Sequence, residues 1–177
     1  MRYKISEIED QIIATLQADT TNFSEVRVLP FAGQVNPQMF FNPEYMEGAV
    51  QLLPFTLVSY QGRTNVKDKR SSDGKTRLHK LRFRLYNGAL SGRETKEAVR
   101  SCYNMMAACF DDLQSKVPVT SPQQLAGYTA LSGTALTSTG ATILGPLTSV
   151  EGDDEVLVVN LPEIVVYASD YTVELVA

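Results

Sequence analysis

The stretch "QGRTNVKDKRSSDGKTRLHKLRFRLYNG", residues Gln61–Gly88, holds nine of the sixteen lysines and arginines of this 177-residue chain. They are Arg63, Lys67, Lys69, Arg70, Lys75, Arg77, Lys80, Arg82 and Arg84. Only Asp68 and Asp73 oppose them, so the segment is +7 and the remainder of the chain, whose total is −4, is −11. From Arg77 to Tyr86 the pattern alternates, with Leu81, Phe83 and Leu85 on one side and Lys80, Arg82 and Arg84 on the other. A period of two is the mark of a half-buried strand. The run Leu52–Tyr60 is a second strand, led by Pro54, where a missing N–H matters least. Phe55 and Leu57 share one of its faces and Val58 and Tyr60 the other, which places it centrally in a sheet. The two strands predict a long β-hairpin. Its polar loop, about 62–77, has Ser71-Ser72-Asp73-Gly74 at the tip.

Outward from the hairpin, the chain reads as helix, strands, hairpin, helix, strands. Ser6-Glu7-Ile8-Glu9 has the form of a capping box, followed by Ile5, Ile8, Ile12 and Leu16 at helical spacing. This predicts a helix to about Asp19-Thr20. Val26–Leu29 reads as a short strand stopped by Pro30. Asn36–Gly48 has two Asn-Pro steps that oppose a regular element; its Met39, Phe40, Phe41, Tyr45 and Met46 pack either under the loop or onto a partner. Ser91-Gly92-Arg93-Glu94 is a second capping box. The helix after it presents Ala98, Val99, Cys102, Met105, Met106, Cys109, Phe110 and Leu113 to a core and runs to about Ser115. Val117 to Val150 contains no charged residue. It reads as an uncharged arm or insertion, with strand pieces at 141–145 and 146–150; a contact between chains is expected of it, with ordinary local packing and a flexible insertion as the alternatives. Gly152-Asp153-Asp154 reads as a turn. Strands follow at 155–160, 164–168 and 171–176, the last with Tyr171, Val173 and Leu175 on one face. The order predicts a single α+β domain over 1–177, a mixed, mostly antiparallel sheet packed against two main helices.

Composition narrows the function. No run approaches the roughly 18 apolar residues of a membrane span, and the acids at the N-terminus do not fit a signal peptide. Cys102 and Cys109 are two helical turns apart, about 10 Å, beyond the roughly 7 Å reach of a disulfide. They read as small buried hydrophobes in a reduced compartment. Phosphate-loop, dinucleotide and nucleophile-elbow patterns are absent, as are zinc motifs. His79 shares the apolar face of its strand with Leu81 and Phe83, so it reads as a core or edge histidine. Asp111-Asp112 and Asp153-Asp154 read as solvated carboxylates. The expectation is therefore not an enzyme, with no cofactor and no metal.

What remains is the basic segment, with Arg63, Lys67, Lys69, Arg70, Lys75, Lys80, Arg82 and Arg84 as candidate interface residues. Three uses are open: phosphate contacts in a nucleic-acid-binding module built on strand 80–84, a solvated face, or complementarity with an acidic protein surface. The −11 remainder offers such surfaces at Glu7, Glu9 and Asp10, at Asp111 and Asp112, and over Glu151–Glu155.

Some motifs and their order resemble a known family. These are Ile8-Glu9-Asp10-Gln11-Ile12-Ile13-Ala14-Thr15-Leu16, Val28-Leu29-Pro30-Phe31-Ala32-Gly33, Leu53-Pro54-Phe55-Thr56-Leu57-Val58-Ser59-Tyr60-Gln61-Gly62, and Leu81-Arg82-Phe83-Arg84-Leu85-Tyr86. With the helix from Glu94 to Leu113 and the terminal strands, they resemble the phage Mu gene-37-like family, the tail terminators of contractile-tailed bacteriophages. The resemblance implies an α+β fold and a homohexameric ring seated on the last ring of the tail tube. It implies that the ring stops growth of tube and sheath and then joins the head-tail connector or neck. Partners would be the chain itself, the tube and sheath proteins and the neck, with DNA met only as it passes through the ring. Location would be the virion tail or neck, and the host cytoplasm during assembly. No catalytic residue is implied. The chain departs from the family in its long basic loop and in the uncharged stretch 117–150. Another neck or tail-completion protein is the alternative within the same class.

Overall fold

The computed structural model describes residues 5–32, 52–64, 78–90, 95–114, 116–117, 129–130, 150–160 and 164–176. Helices α1 (Ile5–Ala18) and α2 (Thr95–Leu113) accompany strands β1 (Arg27–Pro30), β2 (Phe55–Thr64), β3 (Leu78–Leu90), β4 (Lys116–Val117), β5 (Thr129–Ala130), β6 (Val150–Asn160) and β7 (Ile164–Val176). Five strands form one sheet in the order β1-β2-β3-β7-β6. β1 runs parallel to β2, and the other neighbours are antiparallel. The short β4 and β5 form a separate parallel pair. This is the mixed, mostly antiparallel α+β architecture with a long hairpin and two helices that the sequence predicts.

Alternation decides what each face of the sheet does. Leu81, Phe83 and Leu85 of β3, Val58 of β2 and Tyr171 and Val173 of β7 lie buried against Ile8, Ile12 and Leu16 of α1 and Cys109 and Leu113 of α2. Ala89 and Val165 continue this face under Ala98, Cys102 and Met105 of α2. Each such large side chain contributes about 1.5–3 kcal/mol before entropic costs. A polar knot crosses this core. Thr56 Oγ1 donates to Asn87 Oδ1 at 2.7 Å, and the Cys102 thiol lies 3.3 Å from the carbonyl oxygens of Asn87 and Val165. The opposite face carries a second apolar cluster at one end: Phe55, Leu57, Val159, Ile164 and Val166, with Phe31 and Tyr86 against them.

Several boundaries differ from the sequence reading. α1 already includes Ile5, so Ser6 stands in its first turn and does not cap it. The helix ends where Asp19 turns back, accepting from the Thr21 and Asn22 amides at 3.1 and 3.2 Å and from Asn22 Nδ2 at 2.6 Å. Those bonds, the Asn22 side chain first, hold the Asp19 carboxyl below its ordinary range. β1 ends at Pro30, which is itself the last residue of the strand. β1 is an edge strand, where a missing N–H is tolerated, and the Phe31 amide resumes the ladder to Val58 O at 2.7 Å.

β2 and β3 stay paired out to Thr64 and Lys80, so residues 62–64 are strand and not loop. Gly152-Asp153-Asp154 is no turn: it forms a bulge inside β6, where the register shifts between Gly152 and Glu155. The strands expected at 164–168 and 171–176 are one strand, β7, because Ser169 and Asp170 stay in the ladder opposite Leu85 and Arg84. Phe110 is half-exposed, with its ring over Gly152, where an added Cβ would lie 3.1 Å from the ring. The second capping box, the loop cations Lys67, Lys69, Arg70 and Lys75, the segment Asn36–Gly48 and the strand pieces within 141–149 lie outside the described residues.

Two glycines are required for different reasons. Gly62 sits at the β2 bulge with φ +114° and open space around it, so backbone conformation selects glycine there. At Gly88 an added Cβ would lie 2.6 Å from the ring of Phe55, a side chain that is itself fully packed. Gly88→Ala is expected to cost about 1–3 kcal/mol, part of which Phe55→Leu recovers in the double variant. Gly62→Ala is expected to cost about 1–3 kcal/mol, and Phe55→Leu recovers none of it; urea unfolding of these variants checks both.

The thiols give a pH signature. Burial pushes Cys102 from its ordinary 9.0 up to about 11, and Cys109 upward as well. A thiol that keeps its proton longer in the folded state stabilises fully below its unfolded value, and the contribution disappears as pH rises through the folded one. Thermal stability should therefore fall between pH 9 and 11, and the slope should flatten in Cys102→Ala/Cys109→Ala.

Candidate functional site

The basic row lies where its alternation predicts, on the sheet face away from the helices. β7 presents its own row to it. The register sets Lys80 opposite Glu174, Arg82 opposite Thr172 and Arg84 opposite Asp170. Arg84 makes a two-pronged contact with Asp170, Nε to Oδ1 at 2.6 Å and Nη2 to Oδ2 at 2.8 Å. Lys80 Nζ lies 2.5 Å from Glu174 Oε1, and Arg82 Nη2 reaches Asp170 Oδ2 diagonally at 3.6 Å. Asp170 is 8% exposed and Arg82 49%, so this is a graded site, tight at Arg84 and loose at Arg82. The hydrogen bonds that Asp170 accepts from it hold the Arg84 guanidinium charged well above its already high range. On the far side of β7, Thr172 Oγ1 donates to Asp153 Oδ2 at 2.5 Å, which ties the β6 bulge to β7.

Within the chain, Lys80, Arg82 and Arg84 face an acidic row made of Asp170 and Glu174. The signal for it was available: "DYTVE" alternates Asp170, Thr172 and Glu174 against Tyr171 and Val173, a polar row matching the basic one. Of the other candidate residues, Arg63 is exposed on β2 near the loop end of the hairpin. His79 is half-buried on the helix-facing side of β3.

A second surface emerges along β6. This strand forms one edge of the sheet, and no strand pairs with its outer side among the described residues. Asp153, Asp154 and Glu155 are exposed, followed directly by Val156 and Leu157, 46% and 43% exposed. Beside it, α2 turns outward Tyr103 and Phe110, 49% and 45% exposed and two turns apart. Between them runs a groove of about 430 Å³ lined by Tyr103, Met106, Phe110 and Tyr167, with Asp111 and Glu155 among its walls. Tyr103 and Tyr167 meet edge to face at 5.4 Å between ring centroids, with their hydroxyls 3.4 Å apart. Hydrogen bonding to Tyr103, and then burial, raises the Tyr167 hydroxyl above its ordinary 10.0. Gln114 at the helix end accepts from the Gly152 amide at 2.8 Å, holding the strand's bulge to α2. Aromatic faces beside carboxylates suit a lysine or arginine side chain, stem on ring and head on acid.

Among the described residues no group of three or more His, Cys, Asp or Glu is placed to hold a metal ion, and no helix is long and apolar enough to cross a membrane. No protein-family model matches the chain, and no curated protein matches it.

The grading of the charged row is testable. Arg84→Gln is expected to cost about 1.5–3 kcal/mol, the worth of a charge-assisted contact. Arg82→Gln should stay within about 0.5 kcal/mol. Equilibrium unfolding of the two single variants at low and high salt distinguishes them.

Proposed function

We propose that this chain is a structural virion protein that works by assembling with other copies of itself. In this reading it forms the ring that terminates a contractile phage tail, capping tube and sheath and joining them to the neck. The observation that carries the reading is the pair of mismatched surfaces on one chain. An acidic edge strand with exposed apolar neighbours stands at one side of the sheet, while the positive charge is concentrated in the β2–β3 hairpin. A chain whose two sides differ in this way joins head to tail, and head-to-tail contacts close into rings when the rotation allows. The order of motifs that resembles the tail-terminator family supplies the tail. The row Lys80–Arg84 serves the fold first in this account. Two of its three cations face carboxylates at 2.5–2.6 Å, which weakens its use as a phosphate-binding surface in a nucleic-acid module.

Negative-stain microscopy of the purified chain, alone and mixed with tail-tube particles from the genome that encodes it, tests this. Closed rings, or caps seated on one end of the tubes, are expected. A chain that stays monomeric and leaves both tube ends bare would overturn the proposal.

A further inference from the structure

The self-assembly reading leaves open which surfaces meet, and the chain's charge distribution and edge geometry choose between them. We infer that the acidic edge strand β6, with the aromatic groove between it and α2, is the docking site for the basic β2–β3 hairpin of a second copy; this rests on the proposal that the chain self-assembles. Three observations carry it. First, β6 offers an outer side with no strand paired to it among the described residues, and such an edge is a template for another strand. Second, the edge is graded. Asp153, Asp154 and Glu155 come first, then exposed Val156 and Leu157, with Tyr103, Phe110 and Asp111 of the groove alongside. The matching partner is a segment rich in lysine and arginine, whose long side-chain stems cover apolar surface while their heads meet the acids. Third, this chain carries one, with Arg63, Lys67, Lys69, Arg70, Lys75 and Arg77 in fifteen residues.

Length argues that the segment comes from a second copy and not from the same chain. Thirteen residues, 65–77, join Thr64 of β2 to Leu78 of β3. β6 lies beyond β3 and β7 in the strand order. To run along its outer side, the chain's own loop would cross four strand spacings outward from β2 and three back to β3, about 34 Å at roughly 4.8 Å each. At about 3.4 Å per extended residue that consumes about ten residues. About three would remain, too few to follow β6 from its acids to Leu157. A neighbour's hairpin faces no such limit.

The test is a charge exchange in the full-length chain. Variant one reverses the edge, Asp154→Lys/Glu155→Lys. Variant two reverses the hairpin, Lys67→Glu/Lys69→Glu/Arg70→Glu. Asp153 is left intact because it accepts from Thr172. Sedimentation velocity at low salt reads self-association, and thermal unfolding of each variant confirms the fold. Each variant alone should self-associate at least about tenfold more weakly than the unaltered chain, since like charges then face each other. Mixed together the two variants should associate, because the lysine edge of one meets the glutamate hairpin of the other. Variants that associate as well as the unaltered chain, or a mixture no stronger than its parts, would overturn the inference while leaving self-assembly in place. Restoration only when both reversals sit in one chain would assign the contact to the chain's own hairpin and overturn it too. An unaltered chain that never associates would remove the self-assembly reading itself.

Discussion

Along the centre of this fold, β3 and β7 pair residue for residue from Leu78↔Val176 to Leu90↔Ile164. Everything else is referred to that register. On one side of the pair, Leu81, Phe83, Leu85, Tyr171 and Val173 make the floor on which both helices rest. On the other, Lys80, Arg82 and Arg84 meet Glu174, Thr172 and Asp170. A slip of one residue in β3 would turn its cations under the helices and its leucines to the opposite face. Burying unpaired charge costs several kcal/mol per ion, so hydrophobic and electrostatic complementarity enforce the same alignment. The bidentate Arg84–Asp170 contact is the polar lock on a register that the apolar face already prefers.

That lock separates the chain's charge into two kinds. Charge in the middle of the sheet is matched within the chain and does structural work. At the periphery, Asp153, Asp154 and Glu155 gather on the β6 edge, and Lys67, Lys69, Arg70, Lys75 and Arg77 lie in the sequence between β2 and β3. A long edge strand is an invitation to further pairing, one that natural sheets commonly blunt with charge, bulges or cover. β6 has the charge and the bulge, yet it carries Val156 and Leu157 exposed, beside the exposed Tyr103 and Phe110 of α2. An edge that is both defended and apolar is selective: it resists its own kind and accepts a cationic partner.

Much of this was legible in the sequence. The alternation of residues 80–86 fixed β3 and both of its faces, and the apolar spacing in the two helices identified Ile8, Ile12, Leu16, Cys102, Cys109 and Leu113 as core. What was lost depended on partners far away in the chain. Asp170 interrupts an apolar run and reads locally as a break, but its partner Arg84 is 86 residues distant and keeps it in the strand. Gly152-Asp153-Asp154 has the composition of a turn. It becomes a bulge because Phe110 covers the glycine and Gln114 and Thr172 take up its hydrogen bonds. The groove had no local signature, since Phe110 continues the helical apolar pattern and only packing shows that it faces outward.

The central claim is that the β6 edge becomes buried when copies meet. Hydrogen exchange followed by mass spectrometry, across a range of chain concentrations, tests it most directly. Peptides covering Val150–Asn160 should gain protection as the chain associates, together with peptides covering the hairpin loop, while β1 at the opposite edge stays unchanged. Association that proceeds with exchange in β6 unaltered, or with protection appearing along β1, would contradict it.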